Sequence, residues 1–149
     1  MPTIMAELFS PLRLRDVELR NRIVMSPMCQ YSSDDGFAND WHLVHQGSRA
    51  VGGVSLVLTE AIAVTPEGRI SPWDLGIWKD EHVPMLARIA RFCVERGAAW
   101  GTQLAHAGRK ASTKRPWDGV GAVPPSEGGW EVVAPSPIPF DPTHPQPRA

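Results

Sequence analysis

Residues 22–31 read Arg-Ile-Val-Met-Ser-Pro-Met-Cys-Gln-Tyr, and no other stretch constrains the fold of this chain as strongly. Ile23-Val24-Met25 is a short apolar run of the kind that forms a buried strand in a parallel sheet. Pro27 fixes its own φ and pushes Ser26 toward an extended conformation, so the strand ends in a stiff bend. A thioether, a thiol, an amide and a phenol follow at once, from Met28 to Tyr31. Ligands in strand–helix proteins bind beyond the carboxyl ends of parallel strands. The tip carrying Met28, Cys29, Gln30 and Tyr31 is therefore expected to be a site.

The chain around this tip repeats the strand–helix theme. Before it, Leu12 and Leu14 alternate with arginines, and Val17 and Leu19 with Glu18 and Arg20. This period-2 pattern about Arg15-Asp16 predicts a small hairpin over residues 8–20 with one buried face, suited to lie across one end of a larger sheet or barrel. After it, Asn39 or Asp40 caps a helix with Trp41, Val44, Ser48 and Val51 at helical spacing, and Gly52-Gly53 ends it. Val54-Ser-Leu-Val-Leu-Thr-Glu60 reads as a second buried strand, which makes a right-handed parallel βαβ unit with the first. A long loop from Ala61 to Lys79 leads to a helix near Asp80, with Pro84 in or near its first turn. That helix carries Leu86, Ile89, Ala90 and Cys93 on one face and stops at Gly97. Trp100-Gly-Thr-Gln-Leu-Ala105 is the third strand. Nine of the 15 prolines lie between Pro116 and Pro147, and residues 106–149 hold no further helix with an apolar stripe. Only Trp130-Glu-Val-Val133 reads as a short extended piece. An unstructured segment of that length in a compact domain is functional or incomplete.

The totals exclude several classes. A formal net charge of −1 gives no electrostatic reason to expect nucleic acid or an anionic membrane as partner. No apolar run approaches the ~20 residues that span a bilayer. The opening Met-Pro-Thr-Ile-Met-Ala-Glu lacks the basic start and long apolar core of a secretory leader. Two distant cysteines, Cys29 and Cys93, make neither a disulfide framework nor a zinc site, and the expected home is the cytoplasm. Cys93 reads as a core residue. His42 and His45 share a helix face and invite a metal reading, but further ligands at suitable spacing are needed, so they are expected to pack. Arg109-Lys-Ala-Ser-Thr-Lys-Arg-Pro-Trp117 reads as a mobile basic loop at the rim of the site. Trp117 and Trp130 shape either substrate access or a subunit contact.

The ordered motifs resemble the N-terminal part of the Old Yellow Enzyme family, flavin-dependent ene-reductases built on a TIM barrel, and most closely its bacterial xenobiotic-reductase type. They run from Leu8-Phe9 through Asn21-Arg-Ile-Val-Met-Ser-Pro-Met-Cys-Gln-Tyr31, Glu60-Ala61, Pro66-Glu-Gly-Arg-Ile70, Gly76-Ile-Trp78 and Gln103-Leu-Ala-His-Ala-Gly-Arg-Lys110. Ala134-Pro-Ser136 fits as well. The resemblance implies an α/β fold, the first part of a (β/α)8 barrel with about three parallel strands and two helices in residues 22–105. The hairpin precedes this part, a long Pro-rich loop over 106–149 follows it, and the chain alone leaves the barrel open.

It also implies FMN held at the strand tips, NAD(P)H as reductant and reduction of the activated C=C bond of an enone-type substrate. Carried over residue by residue, Ser26, Pro27, Met28 and Cys29 contact the flavin, with Cys29 beside the ring. Ala61 supplies a small side chain where ring and backbone approach, and Gln103 a carboxamide for the pyrimidine edge. Tyr31 faces the substrate. Barrels of this kind take ~250 residues, so the catalytic groups are expected on missing strands. The complete protein is expected to be a homo-oligomer, and the isolated chain to be inactive and unable to fold alone. The alternatives are a truncated, non-catalytic half-barrel or interaction fragment that binds no flavin by itself, and a metal-dependent barrel hydrolase using His42 and His45.

Overall fold

The structure is a computed structural model, and it describes residues 7–149. Apart from Glu7, the stretch read above for a secretory leader lies outside them. Strands β1 (Leu12–Leu14) and β2 (Val17–Leu19) pair as the antiparallel hairpin, Leu12 opposite Leu19 and Leu14 opposite Val17. Arg15 takes the left-handed φ of 54° that the tight turn requires. The apolar face is less buried than its pattern predicts. Leu19 is enclosed, while Leu14 and Val17 are half exposed.

Strand β3 (Val24–Met25) is two residues long, and β4 (Leu56–Ala63) pairs with it in parallel, Val24 beside Leu56. Helix α1 (Asp40–Val51) connects them. Its start is a capping box: Asn39 Oδ1 accepts the Trp41 N–H at 3.0 Å, and His42 Nδ1 accepts the Asn39 N–H at 3.1 Å. His42 is completely buried, so the histidine read against a metal role ties down a helix end.

Helix α2 (Val83–Glu95) begins after a 3-10 turn over Asp80–His82, with Pro84 in its first turn, and buries Leu86, Ile89 and Cys93. Strand β6 (Ala99–Ala105) then pairs in parallel along the other edge of β4. The loop expected from Ala61 to Lys79 contains more order than its sequence announces. Strand β4 continues to Ala63, and a two-residue strand, β5 (Leu75–Gly76), pairs in parallel with its last residues. Met25, Val57, Ile62, Leu75, Ile89 and Cys93 belong to one core between the sheet and the two helices.

Strand β4 is bulged. Leu58 pairs with Gly101 and Ala61 with Gln103, so β4 spends one more residue than β6 over the same span, at Thr59-Glu60. An extra residue flips the alternation of faces beyond it. Val57 and Ile62 are five positions apart, yet both enter the core. Ala61 therefore shares the opposite face with Leu58 and Gln103.

Residues 106–149 hold no strand among the described residues, only 3-10 turns and isolated bridges such as Val133 with Arg148. The segment is nonetheless tied down. Thr113 N–H and Oγ–H both donate to the Ile70 carbonyl, at 2.8 and 3.0 Å. The Arg115 guanidinium lies 4.0 Å from the Trp73 ring centre, and Arg69 lies 4.7 Å from that of Trp130. The rim loop expected to be mobile is thus docked by stacked arginines and tryptophans.

Candidate functional site

The carboxyl ends of β3, β4 and β6 lie side by side because the three strands are parallel, and the residues singled out there converge. Ala61 and Gln103 are register partners on adjacent strands. Cys29, half-buried just past β3, sits against the backbone N–H of Ala61 and within reach of the Tyr31 hydroxyl. Cys29, Ala61 and Gln103 thus form a row across three strand tips. Ser26, Met28 and Gln103 are exposed, and Pro27 is partly so.

Burial pushes the Cys29 thiol up, against the opposing pull of the Ala61 N–H, and Asp74 and Glu60 add to the rise. Burial is also the first cause raising Tyr31, followed by the Cys29 sulfur. Both groups therefore hold their protons at neutral pH. Tyr31 has a φ of 51°, rare for a residue with a bulky side chain. Its ring meets Trp117 edge-on at 5.6 Å, and Trp117 is 64% exposed.

Beneath the row is a second tier to which sequence reasoning gave no role. Glu60, 3% exposed, accepts the Gln30 N–H on Oε2 at 3.0 Å and faces His42 Nε2 with Oε1 at 3.3 Å. Its sequence signals are its place in the Glu60-Ala61 motif and an acid inside a mostly apolar strand. Asp74 accepts from Ile70 N–H and Ser71 Oγ–H, both at 2.7 Å. Burial pushes its carboxyl up to about 6. Its native pKa exceeds the ordinary value, so the folded protein binds the proton more tightly than the unfolded chain. Stability from this group is full below about pH 4 and falls as pH rises to about 6. In a urea titration repeated from pH 4 to 7, Asp74→Asn is expected to remove that downward slope. An unchanged slope would count against the assignment.

Among the described residues, no group of three or more His, Cys, Asp or Glu side chains is arranged to hold a metal. None of their helices is long and apolar enough to cross a membrane.

A sequence model of the NADH:flavin oxidoreductase / NADH oxidase family matches residues 7–134. The chain is 48% identical over 143 residues to an NADPH dehydrogenase of Geobacillus thermodenitrificans (strain NG80-2), covering 95% of this chain and 38% of that protein. With an NADPH dehydrogenase of Listeria monocytogenes serotype 4a (strain HCC23) it shares 52% identity over 139 residues, 92% of this chain and 37% of the other. The crystal structure of Old Yellow Enzyme from Pichia sp. AKU4542 superposes with a TM-score of 0.75 at 27% identity, over 91% of this chain and 33% of that one.

The open arc of parallel strands is thus a partial TIM barrel of the flavin-dependent oxidoreductase class. The chain belongs to the NADH:flavin oxidoreductase / NADH oxidase family, the Old Yellow Enzyme family, and corresponds to its N-terminal part. It spans less than two fifths of the length of these curated relatives.

Proposed function

We propose that this chain is the flavin-site portion of an NAD(P)H-dependent oxidoreductase that reduces the activated C=C bond of α,β-unsaturated carbonyl compounds. The observation that best supports this reading is the row Cys29, Ala61 and Gln103, one residue from each of three parallel strand tips. A flat heteroaromatic ring needs such a surface: a small side chain at the centre, a carboxamide able to donate and accept, and a soft S–H donor beside it. The residues present fit FMN. When bound, it supplies hydride transfer, and the protein contributes orientation and electrostatics.

Ser26, Pro27 and Met28 would line the cofactor, and Cys29 would lie beside its ring. Gln103, exposed on the face that Ala61 shares, would pair with the ring's polar edge. Tyr31 would turn its hydroxyl from the Cys29 sulfur to a substrate carbonyl, and its raised pKa keeps it a donor. The name NADPH dehydrogenase carried by relatives agrees with a nicotinamide reductant. We further assign residues 8–20, 22–105 and 106–149 to one part of a barrel that the rest of the protein closes, as a homo-oligomer in the cytoplasm.

A second reading has its own observation. On the outer face, Leu86, Ala87, Ala90, Trp100 and Thr102 line an open apolar groove of about 300 Å³, and Leu104 at the sheet edge is 64% exposed. An interaction fragment without flavin would present such a face. Visible absorbance after desalting separates the two. Stoichiometric FMN in the full-length protein, with NADPH oxidation that depends on an added enone, is the expected result. A colourless protein that passes no electrons to enones would refute the enzymatic reading.

A further inference from the structure

Gln30 lies between Cys29 and Tyr31, two of the residues that the proposed function uses, and every polar group it has is engaged. Its N–H donates to Glu60 Oε2 at 3.0 Å, and its carbonyl accepts from Ser32 Oγ at 2.9 Å. Its Oε1 accepts from Trp41 Nε1 at 3.1 Å, and its Nε2 donates back to the Met28 carbonyl at 2.8 Å. Only one of these partners, Glu60, is both ionisable and buried, at 3% exposure.

Glu60 is aimed here by the bulge, where β4 carries an extra residue at Thr59-Glu60. Behind it stands His42, completely buried. On the cap side His42 Nδ1 accepts the Asn39 N–H, and on the other side Nε2 faces Glu60 Oε1 at 3.3 Å and Ser33 Oγ at 3.4 Å. The connection is continuous: helix cap, imidazole, carboxylate, Gln30 amide. It ends at Tyr31, whose φ of 51° is a conformation that its surroundings must hold in place.

We propose that Glu60 is a positioning residue. Backed by His42, it clamps the Gln30 amide and so fixes the turn that presents the Cys29 thiol and the Tyr31 phenol at the strand tips. This inference rests on the proposed function for its consequence, the presentation of both groups to flavin and substrate, but not for its geometry. A carboxylate is suited to the task. It accepts from Gln30 with Oε2 while Oε1, which has no hydrogen-bond partner of its own, lies 3.3 Å from His42 Nε2; a hydroxyl or a shorter side chain in its place could not span both.

The test uses the full-length protein as purified and three readouts. Hydrogen exchange at the Gln30 amide is expected to be at least roughly a hundredfold slower than for an open loop amide. Free exchange would overturn the clamp without any substitution. Alkylation of Cys29 by iodoacetamide, with Cys29→Ala as background, is expected to speed up about tenfold or more in Glu60→Ala. In Glu60→Gln, which keeps an acceptor for Gln30, the rate is expected to stay within about twofold of the parent. A parental rate in the alanine variant, or equal rates in the two variants, would overturn the proposal. Should Glu60→Ala not fold, amide exchange and the Glu60→Gln rate still decide the matter.

The third readout separates positioning from bulk stability. The KM for 2-cyclohexenone is expected to rise about tenfold in Glu60→Ala with FMN content unchanged; an unchanged KM would overturn the positioning role. If the parent protein holds no FMN, the proposed function fails, while exchange and alkylation still report on the clamp.

Discussion

Replacing Ala61 by leucine is expected to strip FMN from the full-length protein, lowering the flavin retained after desalting at least about tenfold, while glycine keeps it. Ala61 is the register partner of Gln103, and its N–H faces the Cys29 sulfur. It is thus the centre of the row across which a flat ring would lie. Forcing extra methylene groups into a close contact costs about 1–3 kcal/mol, which is roughly tenfold to a hundredfold in affinity. The substitution should leave the fold alone. Ala61 sits on the face away from the helices, and it is the neighbouring Ile62 that enters the core. Flavin content is therefore expected to fall while the thermal midpoint moves little. A leucine variant with parental flavin would show that the ring lies elsewhere.

Ala61 also marks where the sequence stops being legible. The two helices and three principal strands follow from periodicity and from Asn39, Pro84 and Gly97, since caps and stops are local chemistry. The site loop follows from Ser26-Pro27 for the same reason. By simple alternation Ala61 would share a face with Val57, toward the helices. Only the bulge at Thr59-Glu60 turns it to the side of Gln103, and nothing in Leu-Thr-Glu-Ala announces an extra residue. The bulge is a property of two strands in register, so one strand's sequence does not carry it. The family resemblance assigned Ala61 and Gln103 to one pocket; residue pattern alone did not.

The role of Glu60 was hidden for a related reason. The sequence puts it at the end of a buried strand and in the Glu60-Ala61 motif, but does not show that its carboxylate stands 3.3 Å from the buried His42 ring. The docking of residues 106–149 was illegible in another way. Arg115 over Trp73 and Arg69 over Trp130 join residues about 40 to 60 positions apart, and no local period encodes such a contact. Trp117 reaches Tyr31 through the same segment. Of the two roles left open for Trp117, a place beside the proposed substrate is the one this contact supports.

Gly76→Ala is expected to destabilise the protein by about 3 kcal/mol, the upper end of what overpacking costs. Gly76 lies in β5, is buried, and donates its N–H to the Gly36 carbonyl at 2.9 Å. A methyl group there would overlap the Cζ3 and Cε3 atoms of Trp78. On the side away from Gly76 the indole is hemmed in. On its far edge a methyl on Gly36 would already meet Cη2 at 2.5 Å, and the buried His82 ring stands edge-on at 4.6 Å. His82 is itself held, with Nε2 2.9 Å from the Asp35 carbonyl. Gly36 has a φ of 78°, whereas Gly76 is not among the positive-φ glycines, so what Gly76 provides is space rather than conformational freedom. That distinction can be measured. If space is the reason, shrinking the neighbour should remove the penalty: in a Trp78→Leu background, Gly76→Ala should cost less than about 1 kcal/mol, a coupling of about 2 kcal/mol in a double-mutant cycle of urea midpoints. Additive costs would mean that alanine fails at this position for a reason other than the indole. The spacing Gly-Ile-Trp over residues 76–78 would then need another physical explanation.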